Sequence, residues 1–452
     1  MGLAKLPKIK FTPSRVLVFG FATVIIIGAF LLTLPFASKD GQSLRFLDSL
    51  FTATSAVCVT GLVVVDTGTH FTQFGQILII TLIQIGGLGF MTFSTLIAMV
   101  LGKKIGLKER ILIQESFNQF TLAGLVKLIR HVLLLTFIFE FLGGLILSIR
   151  FLFEYPPDRA LAFGFFHAIS AFCNAGFDLF GQVFGQFTSI THYVSDWTVS
   201  LTIGGLIVFG GIGFPVIMEL IKYPETRRLS LHTKLVFKTT VLLLIIGTIL
   251  IFLFEMNNIK TIASLNWNGK FLGVLFQSIT PRTAGYNSLD ISQLKIATWF
   301  ILILLMFIGA SPSSTGGGIK TTTFGVILAA VFSTINGKED AEVFERRIAK
   351  DLVYKAVTIT MLALSWVAFV TLIMSLVEPH SFIKLLFEVV SAFGTVGLTT
   401  GITPVLCDTS RILILLTMFI GRLGPLTIML ALAQAKQTSQ ATKYIEDRVI
   451  IG

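Results

Sequence analysis

Long stretches without a charged side chain most constrain what this chain can fold into. Val16–Pro35 contains no Asp, Glu, Lys or Arg, and roughly 20 apolar residues are the length of helix that crosses ~30 Å of hydrocarbon. Only 13% of the 452 residues are charged, whereas soluble domains have roughly a quarter. The chain lacks the polar surface that would cover a water-exposed globule, so we predict an integral membrane protein.

The distribution of Lys and Arg predicts the orientation of this protein. When alternate connections are assigned to the two membrane faces, 24 of the 35 basic residues fall on the face that carries both termini and 10 on the other. Because basic residues accumulate on the cytoplasmic side of membrane proteins, we place both termini in the cytoplasm. The net charge of +11 is therefore a topology signal, and nucleic acid is not a predicted partner.

Four segments of the chain share one pattern, in which an apolar run is followed by small polar residues and then by a glycine and a bulky residue. Their glycines are separated by 115, 109 and 112 residues. The first, second and fourth segments carry Ser-Ala at the same offset from the glycine, whereas the third segment has Ile279-Thr280-Pro281 there. The even spacing indicates an internal repeat. The segments are Phe51–Leu62, Phe166–Phe177, Leu275–Tyr286 and Phe387–Leu398, and their glycines are Gly61, Gly176, Gly285 and Gly397.

Longer apolar spans flank each segment, which predicts an all-α membrane protein of four tandem helix–pore-helix–helix repeats. We expect eight full spans and four short helices that start and end on the outer face. Non-helical backbone at membrane depth must be shielded from lipid, because each unpaired polar group costs several kcal/mol. The four segments meet this demand by facing one another, which predicts a pseudo-fourfold central pore. The expected repeats are 1–110, 111–228, 229–345 and 346–452, the last with a cytoplasmic C-terminus.

The residues before each glycine predict an ion filter. Their side chains are small or β-branched, and an extended backbone with these side chains turned outward would point rings of carbonyl oxygens at the axis. Such rings replace the water around a dehydrated K⁺, and glycine adopts backbone dihedrals that other residues resist. The predicted K⁺-binding residues are Cys58, Val59, Thr60, Gly61, Asn174, Ala175, Gly176, Thr283, Ala284, Gly285, Thr395, Val396 and Gly397.

Acidic residues near the filter are few. No ring of carboxylates lines the four segments, which disfavours a site for divalent cations. Asp66, Asp178 and Asp290 follow the first three glycines by 5, 2 and 5 residues. They either concentrate cations at the outer mouth or form turns in a wet loop, and the sequence leaves both readings open. Glu388 is expected near a pore-helix N-terminus, and Glu140 is expected to pair inside the bundle.

These four segments resemble the Trk/Ktr/HKT superfamily of potassium transporters over essentially the whole chain. The length and the short termini are most similar to the KtrB-like membrane subunits of bacteria. The resemblance implies K⁺ uptake across the cell membrane, and glycine at all four filter positions is typical of K⁺-preferring members. It also implies a homodimer on a cytoplasmic nucleotide-binding ring of the KtrA/KtrC type, with no nucleotide bound by this chain itself. Na⁺ dependence is implied as well, although no residue here locates it.

The second outer helix of the third repeat contains a segment that cannot stay helical. Pro312 and three consecutive glycines break the helix, and a polar loop at membrane depth is tolerable only against the pore. The resemblance gives this loop the role of restricting ion flow. Arg422 lies in an apolar span, so we expect it to face the pore below the filter and to contact the loop. A structural arginine away from the pore is the alternative. The predicted gate residues are Gly309, Ser311, Pro312, Ser313, Ser314, Thr315, Gly316, Gly317, Gly318 and Arg422.

Two other functional classes fit the sequence less well than a channel-like pathway. A K⁺/H⁺ or K⁺/Na⁺ symporter is the alternative, but such carriers usually show ionisable residues at mid-span and inverted repeats, whereas these repeats run in parallel. Six histidines without an HExxH motif supply no metal or nucleophile constellation, so no enzyme is predicted. The basic connections 102–131, 222–238 and 336–356 are expected to dock the ring or, alternatively, to contact anionic lipid. The C-terminal residues 436–452 are expected to reach the ring or the second protomer.

Overall fold

The computed structural model describes residues 12–100, 106–116 and 124–432. The predicted fold class is confirmed, since the described chain consists of four successive groups of helices and one two-stranded hairpin. The first repeat contains α1 (Pro13–Thr33), α2 (Phe46–Val57), α3 (Thr67–His70), α4 (Gln73–Leu88), α5 (Phe90–Val100) and α6 (Leu107–Ser116). The second contains α7 (Leu125–Phe151), α8 (Pro157–Phe172), α9 (Gly181–Phe184), α10 (Trp197–Ile212) and α11 (Phe214–Thr226).

The third and fourth repeats follow the same order. The third contains α12 (Leu231–Glu255), α13 (Trp267–Ile279), α14 (Ile296–Phe307), α15 (Thr321–Ile335) and the antiparallel strands β1 (Glu342–Val343) and β2 (Arg346–Arg347). The fourth contains α16 (Lys350–Val377), α17 (Phe382–Gly394), α18 (Asp408–Leu423) and α19 (Pro425–Leu432). The helices α2, α8, α13 and α17 are the pore helices, and each of the four glycine segments begins within one of them and continues past its C-terminal end.

The first helix of each repeat is long and apolar enough to cross a membrane. These helices, α1, α7, α12 and α16, have 21 to 28 residues and mean hydropathies of 2.2 to 2.6. They leave large apolar side chains exposed along one face, for example Phe137, Phe141 and Ile149 on α7. An apolar face of this extent is unfavourable in water and suits lipid. The chain is therefore a membrane protein.

The second helices of all four repeats are interrupted, whereas the sequence led us to expect eight full spans with a break only in the third repeat. Three of them are interrupted at a glycine with positive φ, namely Gly89, Gly213 and Gly424, at 83°, 97° and 85°. This left-handed conformation ends a right-handed helix, and α10 and α11 meet at 98° across Gly213. In the third repeat the break is the longer segment 308–320 between α14 and α15.

The four repeats close into a ring through their pore helices. The second helix of each repeat contacts the pore helix of the next, in the pairs α4–α8, α10–α13, α14–α17 and α18–α2. The last pair joins the end of the chain to its beginning. Arg411 supports this junction by donating to Asp48 at 2.6 Å, and Arg45 forms a second ion pair with Asp408. The closed ring encloses one central axis.

In the first, second and fourth repeats a glycine allows the second helix to approach the pore helix of its own repeat. A Cβ atom on Gly86 would overlap the carbonyl oxygen of Val57, at the C-terminal end of α2. A Cβ atom on Gly210 or on Gly421 would likewise overlap a backbone carbonyl oxygen at the C-terminal end of α8 or of α17. These contacts fix the depth at which the pore helices end.

Replacing Gly86 by alanine should therefore destabilise the protein by about 1–3 kcal/mol, the typical cost of overpacking. The matched control is Gly205→Ala in α10, where a Cβ would meet nothing within 4 Å. There the substitution should be neutral or should stabilise by up to about 1 kcal/mol, because alanine favours the helix. Thermal unfolding of the two purified variants in detergent compares them. Equal unfolding temperatures would contradict the assigned packing.

Candidate functional site

The backbone of the four glycine segments alternates in handedness. In every segment φ is positive at the glycine and also two residues before it. The prediction of an extended backbone is therefore wrong, and the reason is geometric. Successive peptide groups of an extended strand point in opposite directions, whereas alternating left- and right-handed residues turn them to one side. The positive φ values are 49°, 57°, 68° and 49° at Val59, Asn174, Thr283 and Thr395.

Positive φ at residues other than glycine is strained by roughly 1–3 kcal/mol for each residue and persists where the surroundings enforce it. Here a hydroxyl from each pore helix holds the chain at or just after the glycine. The third repeat uses Thr280, one residue closer to its glycine than the serines of the other repeats, which explains why Ser-Ala is missing there. The bonds are Gly61 N to Ser55 Oγ (3.0 Å), Ser170 Oγ to the Phe177 carbonyl (2.8 Å), Thr280 Oγ1 to the Tyr286 carbonyl (2.5 Å) and Gly397 N to Ser391 Oγ (3.1 Å).

The four glycines and the carbonyls that precede them form a closed ring around the axis. Each glycine lies against the carbonyl oxygen of the neighbouring repeat, so that a Cβ atom would collide with it. The order around the ring is first, second, third and fourth repeat, and the fourth returns to the first. A Cβ on Gly61 would lie 2.5 Å from Ala175 O, one on Gly176 2.6 Å from Ala284 O, one on Gly285 2.5 Å from Val396 O, and one on Gly397 would overlap Thr60 O.

The predicted filter residues thus come together at one place, and their side chains are buried. Cys58 and Cys173 are free thiols at the inner end of the first two segments. Asn174 donates from Nδ2 to the Arg282 carbonyl and to Thr283 Oγ1, both at 3.2 Å. The second and third filter segments are therefore joined directly by a side chain.

The segment 309–318 lies against the inner end of the filter. Gly317 N donates to Thr395 Oγ1 at 3.0 Å, and a Cβ on Gly316 would overlap Thr283 Oγ1. Both threonines stand two residues before a filter glycine. The loop consequently touches the third and fourth filter segments without an intervening layer.

Hydrogen bonds to two other repeats hold this loop in place. Pro312 and Ser313 form its turn, and φ at Ser313 is 56°. Ser314 Oγ donates to the Ser311 carbonyl at 2.6 Å. The structure anchors this loop through backbone groups. The bonds to the second and fourth repeats are Ser311 N to Gly211 O (2.9 Å), Thr315 N to Gly210 O (3.1 Å) and Gly318 N to Gly421 O (3.3 Å), and Gly309 N bonds Ile319 O (2.8 Å) within the third.

Two basic side chains bind the loop through carbonyl oxygens. The guanidinium of Arg422 donates to Thr315 O in the loop and to Gly86 O in the first repeat, with Gly87 O at 3.3 Å. Lys320 Nζ donates to Gly316 O at 2.7 Å. Sequence reasoning singled out Arg422 and missed Lys320, although its position after three glycines within an apolar region was an available signal.

A cavity of about 380 Å³ lies on the far side of the loop. Its lining contains the basic side chains Arg422, Lys320 and Lys355. Within the described part of the chain, neither an acidic residue nor a predicted filter residue lines it. The loop and Arg422 therefore separate this cavity from the filter.

Three aspartates around the filter accept hydrogen bonds within their own turns, and Asp66 also accepts from Phe187 N of the second repeat at 3.0 Å. Asp66 accepts from Thr69 N, Asp178 from Phe180 N and Asp290 from Ser292 N, at 2.8 to 3.0 Å. These contacts favour the reading of the three aspartates as turn formers. Glu140 accepts from Gln84 Nε2 at 3.1 Å. The expected place of Glu388 is wrong, because α17 begins at Phe382 and Glu388 lies in its middle.

Comparison with known proteins places the chain among ion transporters. The family model described as TrkH, cation transport protein, matches residues 12–442. The chain is 45% identical to the Ktr system potassium uptake protein B of Bacillus subtilis (strain 168), over 98% of each chain. It is 38% identical to the potassium/sodium uptake protein NtpJ of Enterococcus hirae, again over 98% of each.

A solved structure shows the same fold. The potassium transporter TrkH from Vibrio parahaemolyticus matches with a TM-score of 0.69 and covers 96% of this chain, which covers 87% of that one. The two sequences are 16% identical, so this likeness concerns the arrangement of helices.

Proposed function

The chain belongs to the TrkH family of cation transport proteins, and we propose that it conducts K⁺ across the membrane through the ring of filter carbonyls. The closed contact of four glycines with four carbonyls is the observation that carries this proposal. Similar proteins named for potassium uptake cover nearly the whole chain, which supports K⁺ as the ion. The family is one of transporters, and we assign the chain no enzymatic activity.

In this proposal the filter carbonyls replace the water of a dehydrated K⁺. Carbonyl dipoles carry partial charges, so they suit a monovalent ion, and none of the predicted K⁺-binding residues is a carboxylate. The glycines keep the ring narrow, since any side chain there would displace a carbonyl of the neighbouring repeat. Ion preference then depends on backbone positions in all four repeats.

Replacing Gly61 by serine should lower the preference for K⁺ over Na⁺ by roughly tenfold, a change of about 1.4 kcal/mol. The new Cβ would lie 2.5 Å from the Ala175 carbonyl oxygen, which must move. Uptake of K⁺ and Na⁺ by a potassium-deficient cell expressing each variant measures the ratio. Gly41→Ser is the control, because Gly41 also has positive φ, at 69°, with nothing within 4 Å of its Cβ position. An equal loss in both variants would contradict the filter assignment.

We infer further that the loop 309–318 and Arg422 form a gate, closed in this structure. The cavity reaches the loop but not the filter, and Arg422 connects the loop to the first repeat. The basic lining repels a cation that approaches from the cavity. Opening requires the loop to exchange its bonds with Gly210, Gly211 and Gly421 for another set.

Removing the gate should raise ion flux. Arg422→Ala and deletion of 311–317 should each increase the rate of K⁺ uptake several-fold, because both remove contacts that separate the filter from the cavity. Lys338→Ala is the control, since Lys338 is half-exposed and pairs with Glu342 away from the loop. Rates are measured as initial uptake into liposomes containing equal amounts of protein. Unchanged kinetics in both gate variants would exclude this role.

The placement of the protein in the cell is part of the proposal. The bias of basic residues supports a cell membrane location with both termini in the cytoplasm. We propose 1–110, 111–228, 229–345 and 346–452 as the repeat boundaries. The break between α11 and α12 supports the second boundary, whereas the first falls within α6 and the third within the β1–β2 hairpin, a few residues before the breaks that precede α7 and α16. Na⁺ dependence is supported by the relative named for potassium and sodium uptake.

We also propose that the protein is a homodimer regulated by a cytoplasmic nucleotide-binding ring of the KtrA/KtrC type. Relatives named as Ktr system proteins support a multi-subunit system. The hairpin after α15 offers a basic surface, where Lys234 and Lys238 lie 5.8 and 5.4 Å from the ring of Phe344. Parts of the predicted docking segment 102–131 and all of 436–452 lie outside the described residues.

A further inference from the structure

A second set of polar side chains lies behind the filter, three residues before the hydroxyl anchors of the pore helices. In the second and fourth repeats this residue accepts a hydrogen bond from the same backbone group, the amide three residues after the filter glycine. Leu179 N donates to His167 Nε2 at 3.2 Å, and Thr400 N donates to Glu388 Oε1 at 2.9 Å. Two chemically different side chains thus make one equivalent contact.

The carboxylate of Glu388 is fully buried and binds the chain that leaves the fourth filter segment. Besides the Thr400 amide, it accepts from Thr399 Oγ1 at 2.5 Å, Thr403 Oγ1 at 2.7 Å and Thr400 Oγ1 at 3.3 Å. A carboxylate with this many donors is well satisfied. All the donors come from residues 399–403, so the side chain fixes that short segment to α17.

His167 is also fully buried and holds the second segment in a comparable way. Its Nδ1 lies 2.6 Å from the Phe163 carbonyl oxygen, which can only accept, so Nδ1 carries the proton. Nε2 then has a free electron pair for the Leu179 amide. The imidazole stacks on Phe180 at 4.3 Å between ring centres, which fixes its orientation.

The corresponding residues of the other two repeats do not share this contact. Thr52 donates to the Asp48 carbonyl of its own helix at 2.9 Å. The side-chain amide of Gln277 is buried without a hydrogen-bond partner in the described part of the chain. The contact therefore belongs to the second and fourth repeats, which stand opposite each other in the ring.

We propose that His167 and Glu388 are positioning residues that set the ion selectivity of the filter from behind it. The inference rests on the proposed K⁺ pathway and adds two determinants outside the carbonyl ring. Each side chain fixes the outer end of one filter segment. Because every glycine touches the carbonyl of the neighbouring repeat, a shift of one segment is transmitted to the next.

The test compares substitutions that keep the packing but remove the acceptor. Glu388→Met and His167→Phe retain approximate shape, and the phenyl ring can still stack on Phe180. Each should lower the K⁺/Na⁺ flux ratio of the purified protein in liposomes by at least about fivefold, the factor expected for losing the one backbone amide contact that the two side chains share. Glu388→Gln should restore the ratio to within about twofold, since its amide oxygen can still accept from Thr400 N.

Glu255→Met is the matched control. Glu255 is equally buried and accepts from Asn258, Thr261, Lys295 and Thr298 at 2.5 to 2.9 Å, but it joins the end of α12 to the start of α14. This variant should lose thermal stability and keep the wild-type flux ratio.

Three results would decide against the inference or its premise. Wild-type flux ratios in Glu388→Met and His167→Phe would overturn it, as would an equal change in Glu255→Met. If Glu388→Met does not fold, His167→Phe alone decides. If the protein with residues 311–317 deleted and the filter otherwise unchanged conducts K⁺ no better than empty liposomes, the proposed function is refuted instead.

Discussion

The contact of each filter glycine with the carbonyl of the neighbouring repeat is the constraint on which the rest of the structure depends. Four such contacts close a ring, and the ring fails if any one repeat moves outward. The surrounding elements act to hold it. Hydroxyls of the pore helices fix the strained segments, each second helix contacts the next pore helix, and the bond between Arg411 and Asp48 joins the last repeat to the first.

The fourfold order is broken at the inner end of the filter. The other three repeats interrupt their second helices at one glycine, whereas the third inserts a loop under the threonines of two filter segments. Buried cations are costly unless they are fully bonded, and here Arg422 and Lys320 bind backbone carbonyls. This arrangement explains how positive charge is retained near a cation pathway without a paired carboxylate.

Much of this architecture could be predicted from the sequence because the backbone conformation restricts which residue types can occupy certain positions. A glycine is required where the chain has positive φ and a carbonyl lies against it, so Gly61, Gly176, Gly285 and Gly397 recur at nearly even spacing. The helix break at Pro312 could also be predicted, because proline lacks a backbone N–H and clashes with the preceding helical turn. The sequence was less specific about the partners of Arg422. An isolated basic residue in an apolar span is expected to bind a carbonyl or carboxylate oxygen, but the sequence does not show which one.

Other features depend on tertiary contacts that no local pattern specifies. Thr280 replaces the serine anchor one residue later, so alignment by the glycine alone hides it. His167 and Glu388 differ in chemistry, and only the position of the amide that each accepts from reveals their equivalence. The second helices of the first, second and fourth repeats were predicted as full spans, because the sequence does not show that a glycine inside an apolar helix adopts positive φ.

Ion flux through the purified protein with residues 311–317 deleted tests the central claim most directly. Liposomes would be loaded with K⁺, Rb⁺ or Na⁺ in turn, with equal pH on both sides and a constant Na⁺ background. A carbonyl-lined filter predicts passive flux down the gradient, with K⁺ and Rb⁺ well above Na⁺. Equal K⁺ and Na⁺ flux, or K⁺ movement only with an imposed proton or Na⁺ gradient, would contradict it.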